Sequence, residues 1–145
     1  MLIENSFSSA VRLVNRVVAN PFFRLACLAA ASIVIVELFW LGAKPIAVGL
    51  IPPPWDKLAH VTTFLTISLL LWLGAGLSRR FGIMSAVLVL ACADELHQTW
   101  LPGRSADWQD LAADIFALIL FLAIATAYSK FTSATTTVPS SIRSD

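Results

Sequence analysis

Asp94-Glu95-Leu96-His97-Gln98-Thr99-Trp100-Leu101-Pro102-Gly103-Arg104-Ser105-Ala106-Asp107-Trp108-Gln109-Asp110, continuing through Leu111-Ala112-Ala113 to Asp114, holds five of the nine acidic residues of a chain that is otherwise mostly apolar. An apolar run, residues 81–93, leads into the stretch, and another, residues 115–128, leaves it. Both read as membrane helices, with Pro102-Gly103 marking a turn between them and Ser105 or Asp107 capping the second. Five acids beside two such runs require partners, because a carboxylate facing lipid costs several kcal/mol.

Composition agrees with that reading. The 145 residues are 58% hydrophobic and 13% charged, with mean hydropathy +0.80, where a soluble domain carries about 25% charged residues. The expected fold class is all-α: one polytopic four-helix membrane bundle. A net charge of +1 gives no basic excess for nucleic acid. Cys27 and Cys92 fall inside apolar runs at different depths, so neither a disulfide nor a zinc pair is expected.

Upstream, residues 25–43 form a first apolar run preceded by Arg24, and a second span begins near Asp56 and ends at Leu77. Glu37, Phe39 and Trp40 stand where a signal-peptide cleavage site would require small residues, so the first run is expected to be retained. Four prolines between Lys44 and Trp55 keep the intervening connection from being helical throughout, and Arg79-Arg80 makes a short turn before the third span. Residues 1–23 read as an amphipathic interfacial segment ended by Pro21, residues 24–129 as the membrane domain, and residues 130–145, rich in Ser and Thr, as a disordered tail. Arg12, Arg16, Arg24, Arg79, Arg80, Lys130 and Arg143 lie on one side against Lys44, Lys57 and Arg104 on the other. The positive-inside rule then places both termini in the cytoplasm, and Trp40, Trp55, Trp100 and Trp108 at the outer interface.

The polar residues share a depth. Counted from the inner helix ends, Glu37, Asp94 and Asp114 lie about 20 Å up and His60 about 26 Å, at 1.5 Å per residue. They also share faces: Asp56 and His60 are one turn apart, Asp94 and Gln98 are one turn apart with Glu95 between them in angle, and Asp107, Asp110 and Asp114 make a stripe. Asp56, Asp94, Glu95, Asp107, Asp110 and Asp114 oppose Lys57 and Arg104 alone, an imbalance that calls for protonated acids, a water-filled mouth or a bound cation. No metal-ligand spacing or cofactor motif is present, although so many oxygens would suit Mg²⁺ or Ca²⁺. Nor does a Ser or Cys stand beside a His as a nucleophile, which weighs against an enzyme. Asp107 is explained as readily by helix capping, and His97 points away from Asp94.

Asp56-Lys57-x-x-His60, Asp94-Glu95-x-x-Gln98, Pro102-Gly103-Arg104 and Asp110 before a final apolar helix together resemble the VanZ-like family of small bacterial membrane proteins. The family takes its name from a protein associated with teicoplanin resistance. The resemblance implies a cell-envelope role in the plasma membrane and no established reaction. It departs from the usual pattern where Asp114, Phe116 and Ala117 replace an asparagine followed by small glycines, which predicts looser packing of the last helix.

The expected site is therefore an outward-facing polar pocket of Asp56, Lys57, His60, Asp94, Glu95, Gln98, Arg104, Asp110 and Asp114. Arg104 would hold an anion, Glu95 and Gln98 would exchange hydrogen bonds, and Asp56 with His60 would orient or move a proton. The expected ligand is a membrane lipid, a lipid-linked precursor or a glycopeptide. Two alternatives use the same residues: an accessory subunit of a larger membrane complex, and a hydrolase or transferase acting on a lipid-linked substrate.

Overall fold

The computed structural model describes residues 13–136, and among them the fold is entirely helical. Residues 13–19 form α1; α2 is Pro21–Gly42, α3 Trp55–Ala75, α4 Arg80–Gln98 and α5 Trp108–Thr136. Short 3-10 turns at Pro45–Ala47 and Leu77–Arg79 occupy the connections. Three helices, α2, α3 and α5 from Trp108 to Ser133, are long and apolar enough to cross a membrane. The fourth expected span is not among them, because α4 spends its last turn on Asp94, Glu95, His97 and Gln98.

Chain breaks follow local chemistry. Asn20 accepts from the amides of Phe22 and Phe23, and Pro21 takes the first helical position, where its missing N–H is not needed. The helix thus starts before Arg24, which turns inward instead. Arg24 donates to the carbonyls of Gly74 (2.9 Å) and Ala75 (3.1 Å), satisfying acceptors that the end of α3 leaves open. Gly74 permits that approach: a Cβ there would lie 2.7 Å from Leu28 Cγ and 3.0 Å from the Arg24 carbonyl oxygen.

Buried positions run as stripes. On α3 they are Phe64, Ile67, Ser68 and Trp72; on α5, Asp114, Ala117, Leu118, Phe121 and Ala125. Trp72 packs edge-on to Phe121 and Tyr128, with its indole N–H on the Leu77 carbonyl. The α4 stripe begins apolar with Ile83, Val87 and Ala91 and ends polar with Asp94, Glu95 and Gln98, so one continuous face carries charge into the bundle. By contrast α2 buries only Cys27 and Ala31 and exposes Phe22, Leu25, Ile33, Val36 and Trp40, a surface suited to acyl chains rather than water.

Two expectations change. Residues 130–136 continue α5 where a disordered tail was expected, because the hydroxyls of Thr132 and Ser133 bond back to the carbonyls of Tyr128 and Ser129 and need no water; residues 137–145 lie outside the described residues. Phe116 does not loosen α5, since it points outward at 57% exposure while Ala117 is fully buried at the packing face. Most of the expected interfacial segment, residues 1–12, also lies outside the described residues. Both cysteines are free, Cys27 buried and Cys92 exposed.

Candidate functional site

α3 and α5 begin at the same end of the molecule, where α4 finishes, so three helix termini meet. Lys57, in the first turn of α3, reaches across to α5. Its ammonium donates to Asp107 Oδ2 at 2.9 Å and to Asp110 Oδ1, and lies 3.1 Å from Asp56 Oδ2. One cation thus serves three carboxylates. One turn further in, His60 Nδ1 lies 3.0 Å from Asp114 Oδ1, and His60 Nε2 lies 3.8 Å from Asp110 Oδ2. Asp114 is fully buried, and its contact with Nδ1 turns the other ring nitrogen, Nε2, toward Asp110.

The α4 contribution lies alongside. Gln98 Nε2 donates to Asp94 Oδ2 at 3.2 Å, the one-turn pair that the spacing predicts. Glu95 Oε2 accepts the backbone N–H of Asp107 at 2.8 Å and so binds the end of α4 to the start of α5. Asp94, Glu95 and Gln98 are 3%, 6% and 7% exposed, which places this polar turn inside the protein rather than against lipid. Glu95 Oε1 and Asp114 Oδ2 are buried and have no hydrogen-bond partner among the described residues.

Asp107 has two duties. Its Oδ1 accepts the Gln109 amide at 2.8 Å as the cap of α5, while Oδ2 takes Lys57. The Gln109 amide, and after it the Lys57 ammonium, hold its carboxyl below the usual carboxylate range. The capping role was legible in the sequence; the lysine contact was not.

Arg104 points toward the connection between α2 and α3. It makes no ion pair with Asp110 or Glu95 among the described residues; Lys57 takes Asp110, and Arg104 Nη2 donates to the Ala47 carbonyl at 3.1 Å. Gly103, at φ +77°, makes the turn that brings this arginine beneath the proline-rich connection. Asp56 likewise pairs with Lys57 rather than with His60, because His60 turns toward α5. His97 packs its ring 5.3 Å from Phe39, a structural role.

Between these groups and α2 lies a cavity of about 580 Å³. Of the expected site residues, Asp56, His60, Asp94, Gln98, Arg104 and Asp110 line it, whereas Lys57, Glu95 and Asp114 stand behind that lining. Val34, Leu38 and Leu41 form an apolar wall opposite, and Glu37 joins the rim from α2.

A family model, VanZ/LLP1, matches residues 5–129, which include every helix that builds this end of the molecule. The chain belongs to the VanZ/LLP1 family. In this VanZ/LLP1 protein Asp56, His60, Asp94, Gln98, Gly103, Arg104 and Asp110, all part of the motifs quoted from the sequence, line the cavity. No curated protein and no solved structure matches the chain.

Proposed function

We propose that this VanZ/LLP1 protein crosses the bacterial plasma membrane four times, with both termini in the cytoplasm, and binds the polar head of an amphiphile in its outer cavity. The cavity's two-sided lining carries the reading: Val34, Leu38 and Leu41 suit the first part of an acyl chain, while Asp94, Gln98 and Arg104 suit a hydrogen-bonding head. An envelope lipid, a lipid-linked precursor or a lipid-bearing glycopeptide has that chemistry. Support for α4 as a span comes from residues 81–93, which cover about 20 Å at 1.5 Å per residue, and from the burial of its polar last turn against protein. Arg24, Arg79 and Arg80 at one end, and exposed Trp40, Trp55, Trp100 and Trp108 at the other, favour the stated orientation.

Teicoplanin and a lipid-linked disaccharide phosphate, each titrated into the protein in nanodiscs, test the reading. Saturable binding that Gln98→Ala and Arg104→Ala weaken about tenfold or more, roughly the loss of one hydrogen bond to a charged group, is expected. Equal binding by wild type and both variants, at unchanged elution volume, would refute it.

The exposed apolar surface of α2 favours a second reading, as an accessory subunit docked through that helix. A stoichiometric partner retained in mild detergent and lost on placing polar residues at Ile33 and Val36 would select it.

A further inference from the structure

We infer that His60, Glu95 and Asp110 form a binding site for one first-row divalent cation in the range from Mn²⁺ to Zn²⁺. The three residues come from three helices, α3, α4 and α5, and each offers a ligand atom such that all lie within 4.8 Å of one another. No spacing within one helix announces the set, because the helices assemble it.

Glu95 carries the argument. It is 6% exposed, its Oε2 is held by the Asp107 amide, and its buried Oε1 has no hydrogen-bond partner among the described residues. A buried carboxylate oxygen without a partner is destabilising, and a cation removes that penalty. The histidine is oriented for the same purpose: Asp114 takes Nδ1 at 3.0 Å, the carboxylate–histidine arrangement that typically fixes a metal-binding imidazole, and Nε2 is left as a ligand. The 3.8 Å between Nε2 and Asp110 Oδ2 is too long for a hydrogen bond. It fits two donors that each lie about 2.0–2.2 Å from a shared ion.

Charge favours the same conclusion. Lys57 is already surrounded by Asp56, Asp107 and Asp110, and Arg104 donates to the Ala47 carbonyl, so of Asp94, Glu95 and Asp114 only Asp114 has an ion-pair partner among the described residues, namely His60. Lys57 opposes a cation from one side of Asp110, yet it occupies Oδ1 and leaves Oδ2 free. One imidazole with two carboxylates suits Mn²⁺, Fe²⁺ or Zn²⁺ better than Mg²⁺ or Ca²⁺, which favour oxygen donors alone. Because His60 and Asp110 also line the cavity, the remaining coordination positions open toward it. Water, or an oxygen of a bound head group, would complete the shell.

The inference does not rest on the amphiphile reading, and its test needs no lipid ligand. Full-length protein in nanodiscs, stripped with chelator, is titrated calorimetrically with Zn²⁺, Mn²⁺ and Mg²⁺, and Co²⁺ is followed by its visible absorption. One equivalent of Zn²⁺ or Mn²⁺ should bind far more tightly than Mg²⁺, and Co²⁺ should give ligand-field bands. Glu95→Gln, which keeps size and the Asp107 contact, and His60→Gln should each abolish the bands. Asp114→Asn should weaken binding about 10–100-fold. Absence of stoichiometric binding by wild type, or Co²⁺ bands retained by Glu95→Gln, would overturn the site. Teicoplanin titrations repeated with chelator present separate failure of the metal site from failure of the head-group reading.

Discussion

Asp107 shows how a single side chain couples capping to charge, and its titration has a definite sign. Its folded carboxyl sits below the usual range, first through the Gln109 amide and then through Lys57. An acid depressed in this way contributes stability that is complete above its unfolded value and is lost as pH falls through the folded one, so the start of α5 should loosen below about pH 4 and not above it. Hydrogen exchange at the Gln109 amide checks this, and Asp107→Ala should show fast exchange at every pH. Asp114 is the buried partner of His60 Nδ1. Asp114→Asn keeps an oxygen for His60 Nδ1 and should cost little, whereas Asp114→Ala leaves that donor unpaired and should cost about 1–3 kcal/mol in detergent unfolding. The sequence announced Asp107 as a cap and the Asp94–Gln98 pair, because both are local relations along one helix. It did not announce that Arg104 would bond a backbone carbonyl, since Ala47 carries no side-chain signal for its acceptor.

Among elements, the α2–α3 pair is set by one glycine and one arginine. Gly74→Ala would press a methyl into Leu28 and the Arg24 carbonyl, an overpacking that costs about 1–3 kcal/mol. Arg24→Ala would instead leave the Gly74 and Ala75 carbonyls bare. Thermal unfolding of both variants in one detergent measures the loss, and additivity is not expected because the two residues touch. The Asp56–His60 and Asp94–Gln98 spacings and the Asp107–Asp110–Asp114 stripe were legible from their periods, and so was the change on α4 from an apolar run to Asp94. Which apolar residues of these helices face inward was not, because the runs are apolar all round. The extension of α5 past Lys130 was not: Ser and Thr read as polar tail residues until their hydroxyls are seen bonded to carbonyls one turn back.

For the molecule as a whole, the polar end is built by helices that arrive from different parts of the chain, and the loops over it are held by the Arg104–Ala47 bond. Arg104→Ala should therefore make the connection between Gly42 and Trp55 cleavable by added protease, read as two fragments from protein that still elutes normally. The sequence showed that acids from several helices reach one depth, but which acid Lys57 or His60 would choose depends on rotamers across helices, where spacing says nothing. At the opposite end Tyr128 donates to Asn15 at 2.7 Å, across 113 positions of sequence. That contact brings α1 and α5 together near the two ends of the described residues. Joined by a short linker after Tyr128 and reopened in the Leu77–Arg79 turn, a permuted protein should retain the same helix packing, read as an unchanged elution volume. The order in which a ribosome delivers these helices is thus separable from the arrangement that they reach.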